Sequence, residues 1–149
     1  ALFSAGVMIP LGYEFGFRRR LDVVRTRPGD WEETGPDLRD YIARVNAIKD
    51  AHPIFQEDGL IQCLHHPNPA VLVLWKGANR DRGRGRDQAL LILNKDPHNW
   101  QHFQVPDLYQ YVQAPPPLRD VSPEWPMDHI PSPFEYELPP AAARVLVSP

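Results

Sequence analysis

The chain has 149 residues, 42% apolar and 23% charged, with a formal charge of -3. This is the profile of an ordinary soluble globular protein, and it gives no reason to expect nucleic acid or an anionic membrane as partner. A single cysteine, Cys63, excludes an internal disulfide and a multi-cysteine zinc site. No apolar run approaches the roughly 20 residues that span a bilayer.

Proline is the compositional outlier, at 18 residues. So much proline argues for many chain reversals and short strands, and against a helical bundle. The chain opens Ala1-Leu2-Phe3-Ser4, with neither an initiator Met nor the basic start of a signal peptide. The expectation is that the parent protein has residues before Ala1 and that this is its C-terminal part.

Residues 6–11 are consecutive apolar residues between glycines and predict a strand buried on both faces. Such a strand would deliver Tyr13 and Glu14 into a loop, the way α/β barrels build active sites. Residues 12–35 read as irregular and carry Arg18, Arg19, Arg20, Arg25, Arg27, Asp30, Trp31 and Glu32. A loop this long is functional or partly disordered. A helix follows. Thr34 or Asp37 is its cap, Pro36 lies in its first turn, and Leu38, Tyr41, Ile42, Val45 and Ile48 form one apolar face. Pro53 ends it after His52.

From Gly59 the texture becomes β. Strands are predicted at 60–65, 71–75, 89–93 and 101–105, then at the alternating Phe134, Tyr136 and Leu138, and last at 144–147. Residues 76–87 read as a long polar hairpin loop, and Pro115-Pro116-Pro117 as a rigid break. Short, closely spaced strands suggest an antiparallel sandwich.

Several residues are candidates for chemistry. Glu14 is either a site residue in a barrel mouth or one partner of a structural salt bridge with an arginine. Glycosidic chemistry needs two facing carboxylates, and no second one is placed for it, so no catalytic residue is assigned within this chain. Arg18, Arg19 and Arg20, with Arg25 and Arg27, match phosphate oxygens bidentately. The other reading is a solvated loop held by Asp22, Asp30 and Glu32. The segment from Arg80 to Arg86 lacks the aromatics of an RNA binder and reads as a hairpin tip. His65, His66, His98 and His102 read as surface histidines near turns, because neighbours in a strand point to opposite faces; no metal site is expected. Trp75 reads as core, while Trp31, Trp100 and Trp125 are candidate platforms for sugar rings.

The order of these motifs resembles the C-terminal end of glycoside hydrolase family 13, the α-amylase family. The residues that carry it are Gly6-Val7-Met8-Ile9-Pro10, Gly12-Tyr13-Glu14, the helix from Asp37-Leu38 through Val45-Asn46-Ala47-Ile48-Lys49 to His52-Pro53, and the closing Leu138-Pro139-Pro140 and Arg144-Val145-Leu146. Gly12-Tyr13-Glu14-Phe15-Gly16-Phe17, Arg27-Pro28-Gly29-Asp30-Trp31 and Leu93-Asn94-Lys95-Asp96-Pro97-His98 are most similar to the α-1,4-glucan:maltose-1-phosphate maltosyltransferases within it. The Lys-Tyr pair that some of these carry after the Tyr…Glu element does not occur between Gly16 and Trp31.

The resemblance implies an α/β plus all-β chain, the C-terminal end of a (β/α)8 barrel followed by an antiparallel β-sandwich domain. Residues 1–57 would be the last strand, loop and helix of the barrel, and residues 58–149 the sandwich. The implied parent is a retaining transferase that takes maltose 1-phosphate as donor and an α-glucan as acceptor. It would be cytoplasmic, need no cofactor or metal, and leave room for a homodimer. Its catalytic carboxylates are expected upstream. Tyr13 and Glu14 would lie at the rim of the donor pocket, with Arg18, Arg19 and Arg20 as phosphate or loop contacts. The alternatives are another hydrolase or isomerase of the superfamily acting on α-glucan or trehalose, and a non-catalytic carbohydrate-binding β-domain.

Overall fold

The two densest apolar runs form the centre of the fold. A computed structural model describes residues 1–22, 24–78, 87–112 and 118–148. In it β1 (Leu60–Leu64), β2 (Val71–Gly77) and β3 (Gln88–Asn94) precede β4 (Gln101–Val105) and β5 (Arg119–Asp120). The last strands are β6 (Phe134–Leu138) and β7 (Ala143–Val147). Among the described residues the one α-helix, α1, is Arg39–Ala51. Five strands make an antiparallel sheet in the order β1-β2-β3-β7-β5, and β4 pairs with β6 in a second, two-stranded sheet.

Register explains why β3 is apolar at consecutive positions. Leu90 pairs with Trp75 and Leu146, and Ile92 with Val73. Strand alternation sends these side chains to one face, where they meet Phe103, Val105, Phe134 and Leu138 of the small sheet. Ala89 pairs with Val147 and Leu91 with Val145. These point the other way, against Leu2, Ile54, Phe55, Val45 and Ile48. The large sheet is therefore covered on both faces, by the small sheet on one side and by the chain start, α1 and the turn Pro53–Phe55 on the other. Trp75 is core as expected, and its indole N–H donates to Gln88 Oε1 at 2.8 Å.

Two lysines hold the second layer in place. Lys76, fully enclosed, donates from Nζ to the carbonyls of Phe3 (3.2 Å) and Glu57 (2.7 Å). Lys49 Nζ donates to the carbonyls of Ala1 (3.1 Å), Ser4 (2.5 Å) and Phe55 (2.5 Å). Burial, reinforced by the Lys49 charge, lowers the Lys76 pKa.

The structure corrects three expectations. Residues 6–11 are irregular and exposed, with Met8 91% and Leu11 58% accessible. A strand needs a neighbour for its backbone groups, and here Pro10 has no N–H to give while its carbonyl accepts from Tyr13 N at 3.1 Å, turning the chain. No barrel strand occurs among the described residues. The helix begins one turn later than Thr34 and Pro36 imply, at Arg39, with Leu38 as cap. Thr34 Oγ1 donates to the Phe15 carbonyl instead. Asp37 does serve the helix start, accepting from Arg39 N at 3.1 Å and from its guanidinium at 2.6 Å, and these bonds hold its carboxyl down to about 2. The apolar face of α1 is only partly used, since no residue of the helix is fully buried. Among the described residues no helix is long and apolar enough to cross a membrane. Most of the polar loop at 76–87, with Arg80 to Arg86, and Pro115 to Pro117 lie outside the described residues.

Candidate functional site

Tyr13 and Glu14 sit on a single 3-10 turn, Tyr13–Phe15, bounded by Gly12 (φ 89°) and Gly16 (φ 65°). Left-handed backbone favours glycine, and at Gly12 a Cβ would also meet the Phe17 ring at 2.4 Å. Glu14 Oε2 accepts from the Gly12 N–H at 3.0 Å, and the Glu14 carbonyl accepts from Leu38 N at 2.7 Å. Glu14 thus closes its own turn and ties it to the start of α1. Tyr13 is 58% accessible and lines an apolar groove of about 320 Å³ with Met8, Ile9, Leu38, Tyr41 and Val45. Glu14 lines an adjoining groove with Arg39 and Asn46.

Arg18, Arg19 and Arg20 are exposed. Their loop is organised by carboxylates. Glu32 Oε2 accepts from the backbone N–H of Arg18 (2.7 Å) and Arg19 (2.8 Å), while Oε1 lies 3.9 Å from Arg19 Nε. The Arg19 backbone bond is the main reason the Glu32 carboxyl is held below its usual range. Asp22 Oδ1 accepts from Val24 N and Arg25 N, and Asp30 Oδ2 from Arg27 N. Inside this loop Phe15, Phe17 and Trp31 form a triangle with ring centres 5.6, 6.1 and 6.0 Å apart. Arg39 lies 5.3 Å over the Phe15 ring. Trp31 thus packs within its own loop while remaining 45% accessible.

The histidines are dispersed, and among the described residues no three His, Cys, Asp or Glu side chains could hold a metal ion. His66 stacks on Phe103 at 4.7 Å. His102 lies mid-strand, directly opposite Glu137. Its Nδ1 is 2.7 Å from Glu137 Oε1 and its Nε2 3.6 Å from Glu135 Oε1. The bond to Glu137 raises the His102 pKa. In the Asn94-Lys95-Asp96-Pro97-His98 stretch, Asn94 Nδ2 reaches the carbonyls of Asn99, Leu138 and Pro139. Asp96 Oδ1 accepts from His98 N and Asn99 N. That motif ties the β3–β4 turn to the end of β6.

Sequence reading missed a buried polar network. Arg144 in β7 donates from Nη1 to the carbonyls of Glu124 (2.9 Å) and Trp125 (2.8 Å) and from Nη2 to the Tyr136 hydroxyl. Its guanidinium stands 4.4 Å over the Tyr136 ring. Asp120 in β5 accepts from Ser122 N, Ser122 Oγ and Met127 N. The only advance signal is a charged residue in an apolar strand, Arg144-Val145-Leu146-Val147.

No protein-family model matches the chain, and no curated protein does. Among solved structures it is similar to the crystal structure of AmyP in complex with maltose, with a TM-score of 0.56 at 17% identity over 79% of this chain. The match covers 22% of that chain, so this sequence spans about a fifth of its length. A likeness at this identity is one of fold: antiparallel sheets in a sandwich with one helix beside them.

Proposed function

We propose that this chain is the C-terminal segment of an α-glucan-active enzyme of the α-amylase superfamily. The observation that supports the reading is the fold likeness to AmyP, whose structure was solved in complex with maltose, taken with the motif order from Gly12-Tyr13-Glu14 through Arg144-Val145-Leu146. Within that superfamily the short strings around Glu14, Trp31 and Asp96 favour a cytoplasmic maltosyltransferase. In a retaining reaction the bond between the donor's anomeric carbon and its phosphate breaks as an enzyme carboxylate attacks that carbon. The phosphate departs, and a glucan hydroxyl then displaces the carboxylate. No residue of this chain is assigned the role of that carboxylate.

In this reading Tyr13, exposed on its groove, is part of the pocket rim, and the turn closed by Glu14 holds it there. Arg18, Arg19 and Arg20 present guanidinium groups to the donor phosphate, on a backbone fixed by Glu32.

The test is phosphate release by the whole protein from maltose 1-phosphate in the presence of α-glucan. Release with glucan extension supports the transferase. Reducing sugar from starch, or glucose from trehalose, without phosphate release moves the assignment to a hydrolase or isomerase of the same superfamily. Activity on none of these removes the enzyme reading. Residues 1–149 alone are expected to release no phosphate. Replacing Arg18, Arg19 and Arg20 by Ala in the whole protein is expected to raise KM for maltose 1-phosphate more than it lowers kcat.

A further inference from the structure

Among the described residues two non-glycine residues have left-handed backbone, Trp125 (φ 43°) and Ala141 (φ 55°). Both line the same groove, of about 430 Å³, between the start of α1 and the segments before β6 and β7. That volume falls in the range of small-molecule sites. Residues held in such conformations cost free energy and persist where surrounding structure over-determines them, often at ligand clamps. The holding group here is Arg144. Its guanidinium, 4% accessible as a residue, grips the Glu124 and Trp125 carbonyls from below. The result is a tryptophan fixed at its backbone and 77% accessible as a residue. A tryptophan exposed to that degree gains little from core burial.

Polar groups converge beside it. Tyr41 of α1 lines the groove, and burial together with the nearby Glu124 carboxylate raises its pKa, so the hydroxyl stays a neutral donor. Glu124 lines the groove as well, and its Oε1 lies 3.8 Å from Arg44 Nη2, with both side chains about half exposed. A groove lined by an indole, a phenol and a carboxylate, the carboxylate paired with a guanidinium, has the chemistry that recognises a pyranose. The apolar sugar face stacks on the ring, and neighbouring hydroxyls pair with the carboxylate and guanidinium.

We propose that the groove lined by Trp125, Glu124 and Tyr41, with Arg44 paired to Glu124, is a binding site for a gluco-oligosaccharide. The choice of an α-1,4-linked chain rests on the function proposed above, whereas the stacking site itself rests on this geometry alone. The site docks one or two sugar units of a longer chain, with Trp125 as the platform.

The experiment is calorimetric titration of the 149-residue chain with maltoheptaose and, separately, with cellohexaose. Weak, saturable binding of maltoheptaose is expected. Trp125→Ala should weaken it about tenfold or more, the scale of an aromatic anchor lost from a small interface. Glu124→Gln, which leaves the Arg144 grip on the backbone intact, should weaken it by a smaller factor. Leu60→Ala, on the exposed β1 edge away from the groove, should leave it unchanged. Thermal melts of each variant separate lost binding from lost folding, and Glu124→Gln keeps the test open if Trp125→Ala unfolds. Absence of maltoheptaose binding, or equal binding by the folded Trp125 and Glu124 variants, overturns the site. Equal affinity for cellohexaose overturns only the α-linked ligand. Binding lost in Trp125→Ala in a protein that releases no phosphate would keep this site and remove the transferase reading.

Discussion

Arg144 Nη1 lies 3.6 Å from Asp120 Oδ2, with the two side chains 5% and 0% accessible, among buried residues that are mostly apolar. An ion pair so enclosed is weak evidence for net stability, because removing both charges from water offsets their attraction. Removing one partner is a different matter. Arg144→Met leaves Asp120 buried without its cation and frees the carbonyls of Glu124 and Trp125. We expect a loss of about 3–5 kcal/mol by urea unfolding. The double change Arg144→Met with Asp120→Asn, which removes the charge and keeps an acceptor for Ser122 and Met127, should recover part of it, and a double variant no more stable than the single one would refute this account of the pair.

The sandwich interior predicts a second result. Leu90 is fully buried and paired on both sides, with Trp75 and Leu146. Leu90→Ala should cost about 2–5 kcal/mol, from lost transfer free energy and the cavity left behind. A cost below 1 kcal/mol, an order of magnitude typical of surface sites, would contradict the two-layer core.

Gly59 gives a steric test. A Cβ there would stand 2.1 Å from the Gly77 carbonyl oxygen, a backbone atom that cannot swing aside. Gly59→Ala should therefore push β1 away from β2 at Leu60↔Gly77 and cost about 1–3 kcal/mol. Unchanged stability, with unchanged amide protection across Leu60 to Leu64, would show that the close approach is absent.

His102 sets a pH dependence. Its pKa is raised above the ordinary 6.5, first by the hydrogen bond to Glu137, and Gln104 and Glu135 add to it. The folded state therefore holds this proton more tightly than the unfolded chain does. The resulting stabilisation is fully present below the unfolded pKa of about 6.5 and is lost as pH rises through the folded value. NMR titration should find His102 above the unfolded value, and Glu137→Gln should bring it down. A wild-type His102 that titrates at or below the unfolded value would rule out the pairing as drawn.

Much of the sandwich was readable from residues because its strands carry a period. Phe134, Tyr136 and Leu138 alternate with glutamates, and β6 spans those five residues. The runs at 71–75 and 89–93 have no polar positions and yet form strands, since layers cover both faces. The same signal failed at residues 6–11, where an equally apolar run carries a proline and no neighbour pairs with it. β5 is two residues long and has no period to detect. The candidate site was legible only in part. Trp125 stood out as a tryptophan among prolines, but the Arg144 grip that presents it comes from a strand distant in sequence. The His102–Glu137 contact likewise depends on a register that only pairing reveals.

β1 closes one edge of the large sheet and shows solvent on most of its length, with Leu60 64% and Ile61 48% accessible and Cys63 exposed. The far edge is the two-residue β5, too short to act as a template. An open, mostly apolar edge strand invites another chain to add itself. At the concentrations used for crystallography or NMR, the first intermolecular contact of this protein should run along Leu60–Leu64, with Cys63 thiols of two copies brought close enough to cross-link under air. Leu60→Lys, opposite Gly77 and 64% accessible on that edge, is the single substitution best suited to keep the protein monodisperse, because at 61 a lysine would face the enclosed Lys76.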